Sequence, residues 1–510
     1  MSDITLTLIV FVPLVGAGIV ALMPVANDLH RFRVRTTAFF AALVSLILAI
    51  FDLMAEVGAP GQGSIPQPAI DAPWLRGGLF QLDYHLGVDG LNLLLLVASS
   101  AFFLAVVLAS WRRRERHRTY FACLLVVEVG INGGFASQDL GLFLIFFLIP
   151  VVPLALLVGL EGSDRARAAA RRLLLLQSVA GLALLAALLL LVWRSGISSL
   201  NFSTLSTSNT PRGAAGLVIE VLILFASLAR MATFPLHRWL LSGVVASSTP
   251  VGMLLAVFGL PIGGYTLVRV GVAIEPAAAL QLTLPLLALG LVTLYWGALG
   301  ALSCSDLRWL AGQVLVACSG LVLLGVAIFS ETSLSGAIYL CFSFCFAAPL
   351  LLLVVGAVAD RGLSARVESL LGVAAGAARL RFFFALAAAA LVGVPLLVGF
   401  PGILEIVVAG LVAHRFITGL GLLGLLLLTA ALGRLGQRVF TQAQHQGEAA
   451  AMVADSQGSE LYSAWVLGGA ALLFGIFAGY FVPYTVQGTA LVSARVSAAA
   501  STVHHGGGKS

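Results

Sequence analysis

Six ionisable residues stand inside or at the edge of long apolar stretches: Asp89, Glu128, Glu220, Arg230, His237 and Glu405. In hydrocarbon a charged side chain is costly unless paired, and such residues mark ion or proton pathways by default. Each also has a structural reading. Asp89, in Leu86-Gly87-Val88-Asp89-Gly90, is placed to cap a helix start, where a carboxylate meets the positive end of the dipole. Glu128 lies in the middle of its apolar segment and reads as one half of a buried pair or as a proton site. Glu220 and Arg230 share a segment but stand ten residues apart, about 15 Å along a helix. They are too far apart to pair, so each needs a partner on another helix. His237 is either an interfacial histidine or a member of the same pathway.

Other chemistries find little support. The five cysteines, Cys123, Cys304, Cys318, Cys341 and Cys345, form no CxxC pair. Cys341 and Cys345 share a helix face, but no histidine or carboxylate stands near them, so they read as small core residues rather than metal ligands. His504 and His505 fall in a polar C-terminal stretch. No phosphate-binding glycine loop, HExxH pair, nucleophile elbow or cluster-ligating cysteine set is present, which excludes the common soluble enzyme classes. No cofactor or metal is expected on this chain. The formal charge of +6 comes from arginines in short loops and does not suggest nucleic acid. Of 28 basic residues only Lys509 is a lysine. Arginine keeps its proton, whereas a buried lysine can lose it.

These residues are positioned by a membrane bundle. The chain is 60% hydrophobic and 10% charged, against about 25% charged in soluble domains. Apolar segments at 4–24, 34–55, 86–110, 119–136, 139–160, 173–193, 215–235, 243–272, 279–302, 309–329, 334–359, 382–412, 416–433 and 463–484 predict roughly fourteen membrane-crossing helices. The fold class is therefore all-α and polytopic. No cleavable leader is expected. Arg31, Arg33 and Arg35, then Arg112, Arg113, Arg114, Arg116 and Arg118, then Arg165, Arg167, Arg171 and Arg172, and later Arg361, Arg366, Arg379 and Arg381, fall in alternate loops. By the positive-inside rule both termini lie outside. Loops 57–85 and 194–214 carry only Arg76, and Arg194 with Arg212.

Two segments carry interior proline: 243–272 with Pro250 and Pro261, flanked by Gly259, Gly263 and Gly264, and 382–412 with Pro395 and Pro401, near Gly393, Gly399 and Gly402. Proline removes a helical hydrogen bond, and broken helices in corresponding halves point to an inverted-repeat transporter core. Breaks are thus expected at Pro261 and at Pro395/Pro401. Stretch 57–85 reads as a Gly/Pro-rich outer loop. Stretch 436–462, with Gln442, Gln444, His445, Gln446 and Glu448, reads as a connector, and 485–510 as a mobile tail.

The run Arg230-Met-Ala-Thr-Phe-Pro235-Leu-His237-Arg-Trp239-Leu240 resembles a seventh-helix motif, K-x-P-x-x-P-x-H-x-W-L-P-D-A-H. That motif belongs to the antiporter-like membrane subunits of complex I, the M-type NADH–quinone oxidoreductase chain, and of Mrp antiporters. Gly263-Gly264-Tyr265-Thr-Leu-Val-Arg269 is similar to G-x-Y-G-L-x-R, and Leu86-Gly-Val-Asp89-Gly90-Leu-Asn92 to L-G-V-D-G-I-S. Tyr295-Trp-Gly297-Ala298 with Asp306-Leu-Arg308, and Gly356 with Asp360-Arg361, extend the resemblance over about 80–410. It implies three N-terminal helices in 1–118, five-helix repeats at 119–272 and 279–433, a connector and last helix at 434–484, and the tail at 485–510. It also implies partner membrane subunits, a bacterial inner-membrane location, and redox groups carried by other chains.

The departures matter more. The family's line of buried proton carriers, transferred position by position, falls on Leu148, Arg230 and Pro261, near Cys318 and Phe344, and on Ile403. Glu405 stands two residues past Ile403, about 200° around the helix. The resemblance therefore implies an antiporter-like subunit with a reduced or rewired proton path. A cation/proton antiporter or energy-coupling subunit of an Mrp-type or inorganic-carbon uptake complex remains the alternative, with Glu128, Glu220, Arg230, His237 and Glu405 as its path. Any oxidoreductase activity would belong to the whole complex.

Overall fold

The structure, a computed structural model, describes residues 2–24, 27–57, 67–76, 81–113, 116–197, 199–207, 213–361, 374–441 and 454–506. Arg114, Arg212, Arg366, the polar connector residues Gln442, Gln444, His445, Gln446 and Glu448, and Lys509 lie outside them. The chain begins with α1 (Ser2–Leu22), α2 (Asp28–Val57), and a hairpin of β1 (Gln67–Arg76) and β2 (Gln81–Val88). It continues with α3 (Leu93–Ala109), α4 (His117–Ala136), α5 (Leu140–Leu148), α6 (Val151–Gly159), α7 (Asp164–Ser195) and α8 (Phe202–Thr207). Then come α9 (Ala214–Met231), α10 (Arg238–Ala246), α11 (Thr249–Thr266), α12 (Pro276–Gln281), α13 (Thr283–Ser303) and α14 (Leu307–Ala327). The last six are α15 (Glu331–Arg361), α16 (Ala378–Val392), α17 (Gly399–Ala413), α18 (Arg415–Gly436), α19 (Ser459–Ile476) and α20 (Ala478–Gly506).

Among the described residues, twelve helices are long and apolar enough to cross a membrane, and two shorter apolar helices, Leu93–Ala109 and Gly399–Ala413, accompany them. The spans Thr249–Val272, Leu307–Ala327 and Glu331–Arg361 are wholly buried along their most apolar windows and form the centre. A helix that is apolar all round belongs in such a centre. On the flank, α18 exposes Phe416, Leu423 and Leu426, apolar side chains suited to lipid.

The first helix break lies elsewhere than expected. Pro261 sits inside a continuous α11, Pro250 opens that helix, and a π-helical turn, Leu267–Val272, extends it. The interruption falls between α9 and α10, over 232–237, where Ala232 takes φ +58° and Pro235 stands. The glycines around Pro261 serve close approach instead. A Cβ on Gly263 would sit 2.7 Å from the Met231 backbone nitrogen, and one on Gly259 3.1 Å from the Arg230 carbonyl. They let α11 pack against the broken end of α9, and the freed backbone there is re-satisfied: Phe234 N–H donates to Thr293 Oγ1 (3.3 Å) and the Trp239 indole to the Ala229 carbonyl (2.9 Å). Protein must supply such partners inside a membrane.

The second break is where the prolines placed it, between α16 and α17, with Gly393 at φ +75°. Val398 N–H donates to the Ala471 carbonyl of α19 (3.1 Å). A Cβ on Gly399 would lie 1.9 Å from the Ala390 carbonyl oxygen, so only glycine fits.

Two polar stretches are ordered rather than irregular. Part of the expected outer loop pairs as the antiparallel β1–β2 hairpin, with Gln67 opposite Val88 and Arg76 opposite Gln81. Register shifts beside Pro68 and Pro73 hide its alternation in the sequence; proline cannot donate to a ladder. The expected mobile tail is largely α20, which runs on to Gly506 with His504 and His505 in its last turns. It packs where Gly488 meets Gly90, and Thr485 Oγ1 lies 2.8 Å from Ser335 Oγ.

Arginines knit one end of the bundle. Arg113 pairs with Glu161 (3.0 Å) and reaches Ser248, Arg308 joins Asp360 and the Ser247 carbonyl, and Arg361 joins Glu460. The connections expected on a common side therefore do meet. The opposite end carries the hairpin, the α4–α5 junction, the π turn and α20.

Candidate functional site

Asp89 does two jobs. Its Oδ1 accepts from the backbone N–H groups of Leu91 (2.9 Å) and Asn92 (3.2 Å), which starts α3. Its Oδ2 lies 2.5 Å from Nη1 of Arg269 in the π turn. Arg269 also donates to Gln138 Oε1, Gln138 to the Gly87 carbonyl (3.0 Å), and Asn92 to the carbonyls of Gly87 (2.9 Å) and Phe135 (2.7 Å). The carboxylate is thus saturated by a structural network.

Arg230 is fully buried at the end of α9. Its Nη2 donates to the Phe147 carbonyl (2.9 Å), and its guanidinium carbon lies 3.6 Å from the Phe147 ring centroid and 4.0 Å from that of Phe258. Among the described residues no carboxylate comes within ion-pair distance of it. Nε and Nη1 have no hydrogen-bond partner. The planar cation is held by two aromatic faces rather than by a counter-charge.

His237 sits in the α9–α10 break, 6% exposed. Its Nε2 meets the Trp296 indole Nε1 at 3.1 Å. Indole only donates, so Nε2 accepts and the imidazole is neutral, with its proton on Nδ1. The histidine is thus buried, with a tryptophan as its hydrogen-bond partner.

Glu128 on α4 and Glu220 on α9 are fully buried, and neither carboxylate oxygen of either has a hydrogen-bond partner. Glu220 lies against the π turn: a Cβ on Gly271 would sit 3.2 Å from its Oε1. Glu405, on α17 just past the second break, is partly exposed and faces Ser335 and Tyr339 of α15. No hydrogen bond or ion pair joins any two of the six residues. The structure separates them into a network at Asp89, an aromatic cradle at Arg230, an indole contact at His237 and three carboxyls on different helices, Glu128 on α4, Glu220 on α9 and Glu405 on α17.

The positions to which the resemblance transfers the family's line carry leucine, proline, cysteine, phenylalanine and isoleucine beside Arg230. Leu148 touches Gly181 of α7, and Cys318, Phe344 and Ile403 are buried in α14, α15 and α17. Cys341 and Cys345 are buried in α15, with Cys345 Sγ 3.5 Å from the Cys341 carbonyl. Glu275 and Arg495 are among the charged residues that no sequence pattern singles out. Glu275, at the N-cap position of α12 and 2% exposed, stands in what reads as a loop before Pro276. Arg495 stood in the supposed tail.

Residues 137–429 match the family profile described as NADH:quinone oxidoreductase/Mrp antiporter, transmembrane. This chain belongs to that family. Among its relatives, NAD(P)H-quinone oxidoreductase chain 4 1 of Synechococcus sp. (strain JA-3-3Ab) is 30% identical over 72% of this chain and 71% of its own length. NAD(P)H-quinone oxidoreductase chain 4 2 of Thermosynechococcus vestitus is 29% identical over 78% of this chain and 73% of its own. As an antiporter-family fold, the bundle superposes on a chain of respiratory complex I from Thermus thermophilus with TM-score 0.84, at 23% identity, covering 98% of this chain and 99% of that one. A chain of the Mrp complex from Dietzia sp. DQ12-45-1b gives 0.80 at 21% identity, covering 96% of this chain and 52% of that one. These solved relatives are parts of multisubunit membrane complexes, and this chain is a multi-pass membrane protein of the same fold.

Proposed function

We propose that this chain is a diverged, M-type antiporter-like membrane subunit of a complex I-type NADH–quinone oxidoreductase or a related multisubunit ion-translocating complex, with a reduced or rewired proton path. It sits in a bacterial inner membrane beside other membrane subunits, and redox groups lie on other chains. Its two antiporter-like repeats are 119–272 and 279–433. In support of that division, the broken helix is the fourth span of each: α9/α10 in the first, α16/α17 in the second. Five spans per repeat would make the second enter from the opposite side.

The observation that carries the reading is Arg230. At the position of the family's seventh-helix lysine stands a cation that keeps its proton, fixed between Phe147 and Phe258. Leu148, Pro261, Phe344 and Ile403 carry no exchangeable side-chain proton at all. The decisive test is reconstitution of the intact complex in vesicles with Glu128→Gln in this chain alone. Proton pumping per electron should persist; its loss would overturn the reading.

A second reading, an active cation/proton antiporter or energy-coupling subunit, draws on Glu405, a half-buried carboxyl immediately past the second break. It requires Glu405→Gln to abolish flux, and unchanged flux excludes it.

A further inference from the structure

Glu220 has no hydrogen-bond donor, yet it has a charged neighbour. Glu275 follows the π turn and its backbone N–H donates to the Gly271 carbonyl (3.0 Å), the same glycine that makes room for the Glu220 carboxyl, a Cβ there lying 3.2 Å from Glu220 Oε1. Glu275 in turn lies within reach of Arg495 on α20, and the Arg495 guanidinium is anchored on the Ala273 carbonyl two residues away. Three elements distant in sequence, α9, the start of α12 and α20, thus bring two buried carboxyls and one arginine to the hairpin end of the bundle. Neither carboxyl occupies a position of the family's line of proton carriers as transferred above.

Two ionised carboxylates and one arginine would leave a net negative charge in an apolar site. Burying an unpaired ion costs far more than burying a neutral acid, and like charges oppose each other's ionisation. The asymmetry between the two acids decides which takes the proton. Glu275 has the arginine; Glu220 has apolar surroundings and the bare backbone at Gly271. The charged group facing Glu220 is Glu275, and Arg495 faces Glu275 in turn.

We propose that Glu220 and Glu275 form a proton-binding carboxyl pair holding one proton between them at neutral pH, on Glu220, with Glu275 ionised against Arg495. The step is a single protonation: a proton from water at the hairpin end bonds to a Glu220 carboxylate oxygen, and net charge among the three groups goes from −1 to zero. Because Arg495 rides on α20, movement of that helix would change how strongly the pair holds its proton.

The test is infrared spectroscopy of the purified full chain in lipid, which reads protonated carboxyl C=O stretches directly and needs no partner subunit. At pH 7 the wild type should show a protonated-carboxyl band that is missing in Glu220→Gln and shifted in Glu220→Asp; the aspartate variant covers failure of the glutamine variant to insert. Glu275→Gln should lower the pH midpoint of the band by about one unit. Arg495→Gln should roughly double the Glu220/Glu275 contribution, as Glu275 takes a proton too. A band unchanged by both Glu220 substitutions, or indifferent to Glu275 and Arg495, would overturn the proposal. Neither result bears on which complex the chain joins.

Discussion

The Arg269 Nη1 and Asp89 Oδ2 atoms lie 2.5 Å apart, with side-chain exposures of 8% and 5%. This ion pair fastens the π turn to the start of α3, 180 residues earlier. Because both charges are buried and each holds further hydrogen bonds, removing one strands the other. Asp89→Asn or Arg269→Gln alone should each cost about 3–5 kcal/mol, and the double variant should recover part of the loss. Unfolding in detergent, followed by circular dichroism, checks the ordering; a double variant as weak as the sum of the singles would contradict it.

Arg230 makes the opposite case. With one carbonyl, two rings and no carboxylate, its burial is poorly compensated, and an apolar side chain of similar length should fit the cradle better. Arg230→Met should raise stability by about 1–3 kcal/mol. Arg230→Lys should lower it by about 1 kcal/mol, because the ammonium cannot stack flat between Phe147 and Phe258. A thermal melt of the three proteins ranks them, and a destabilised methionine variant would show that the cation itself is required for folding.

The Trp296–His237 contact is a pH-readable joint. The indole donates to Nε2, so a protonated imidazole has no acceptor to offer. Acidification through the histidine titration should therefore break the contact and change Trp296 fluorescence. The change should vanish in His237→Gln and in Trp296→Phe; its survival in the histidine variant would assign it elsewhere.

Much of the bundle was legible because hydrocarbon imposes length and apolarity on every span. The second break was legible for the same reason: Pro395 and Pro401 interrupt an otherwise unbroken apolar run. The first was misplaced because proline alone does not say whether a helix breaks. At Pro261 the helix continues and its glycines serve packing, whereas at 232–237 the chain turns and borrows Thr293 as a partner. The hairpin was hidden by Pro68 and Pro73. For α20 the signal was present: Thr485, Thr489, Val492 and Val496 recur at helical spacing and are all buried. Their mixed polarity masked it, and with it the role of Arg495. The six site candidates were found by composition, but their partners lie 59 to 180 residues away along the chain for His237, Arg230 and Asp89, a distance no local pattern reveals.

The contact of Gly488 with Gly90 also has a consequence in time. A Cβ on Gly90 would fall 2.0 Å from the Tyr484 carbonyl oxygen, so the loop that opens α3 is shaped to fit a helix made nearly four hundred residues later. During synthesis the hairpin end must wait, uncovered, while every intervening span is inserted. Only when α20 has left the ribosome can that end close, and a stop codon before Tyr484 leaves a chain whose hairpin end never meets its cover.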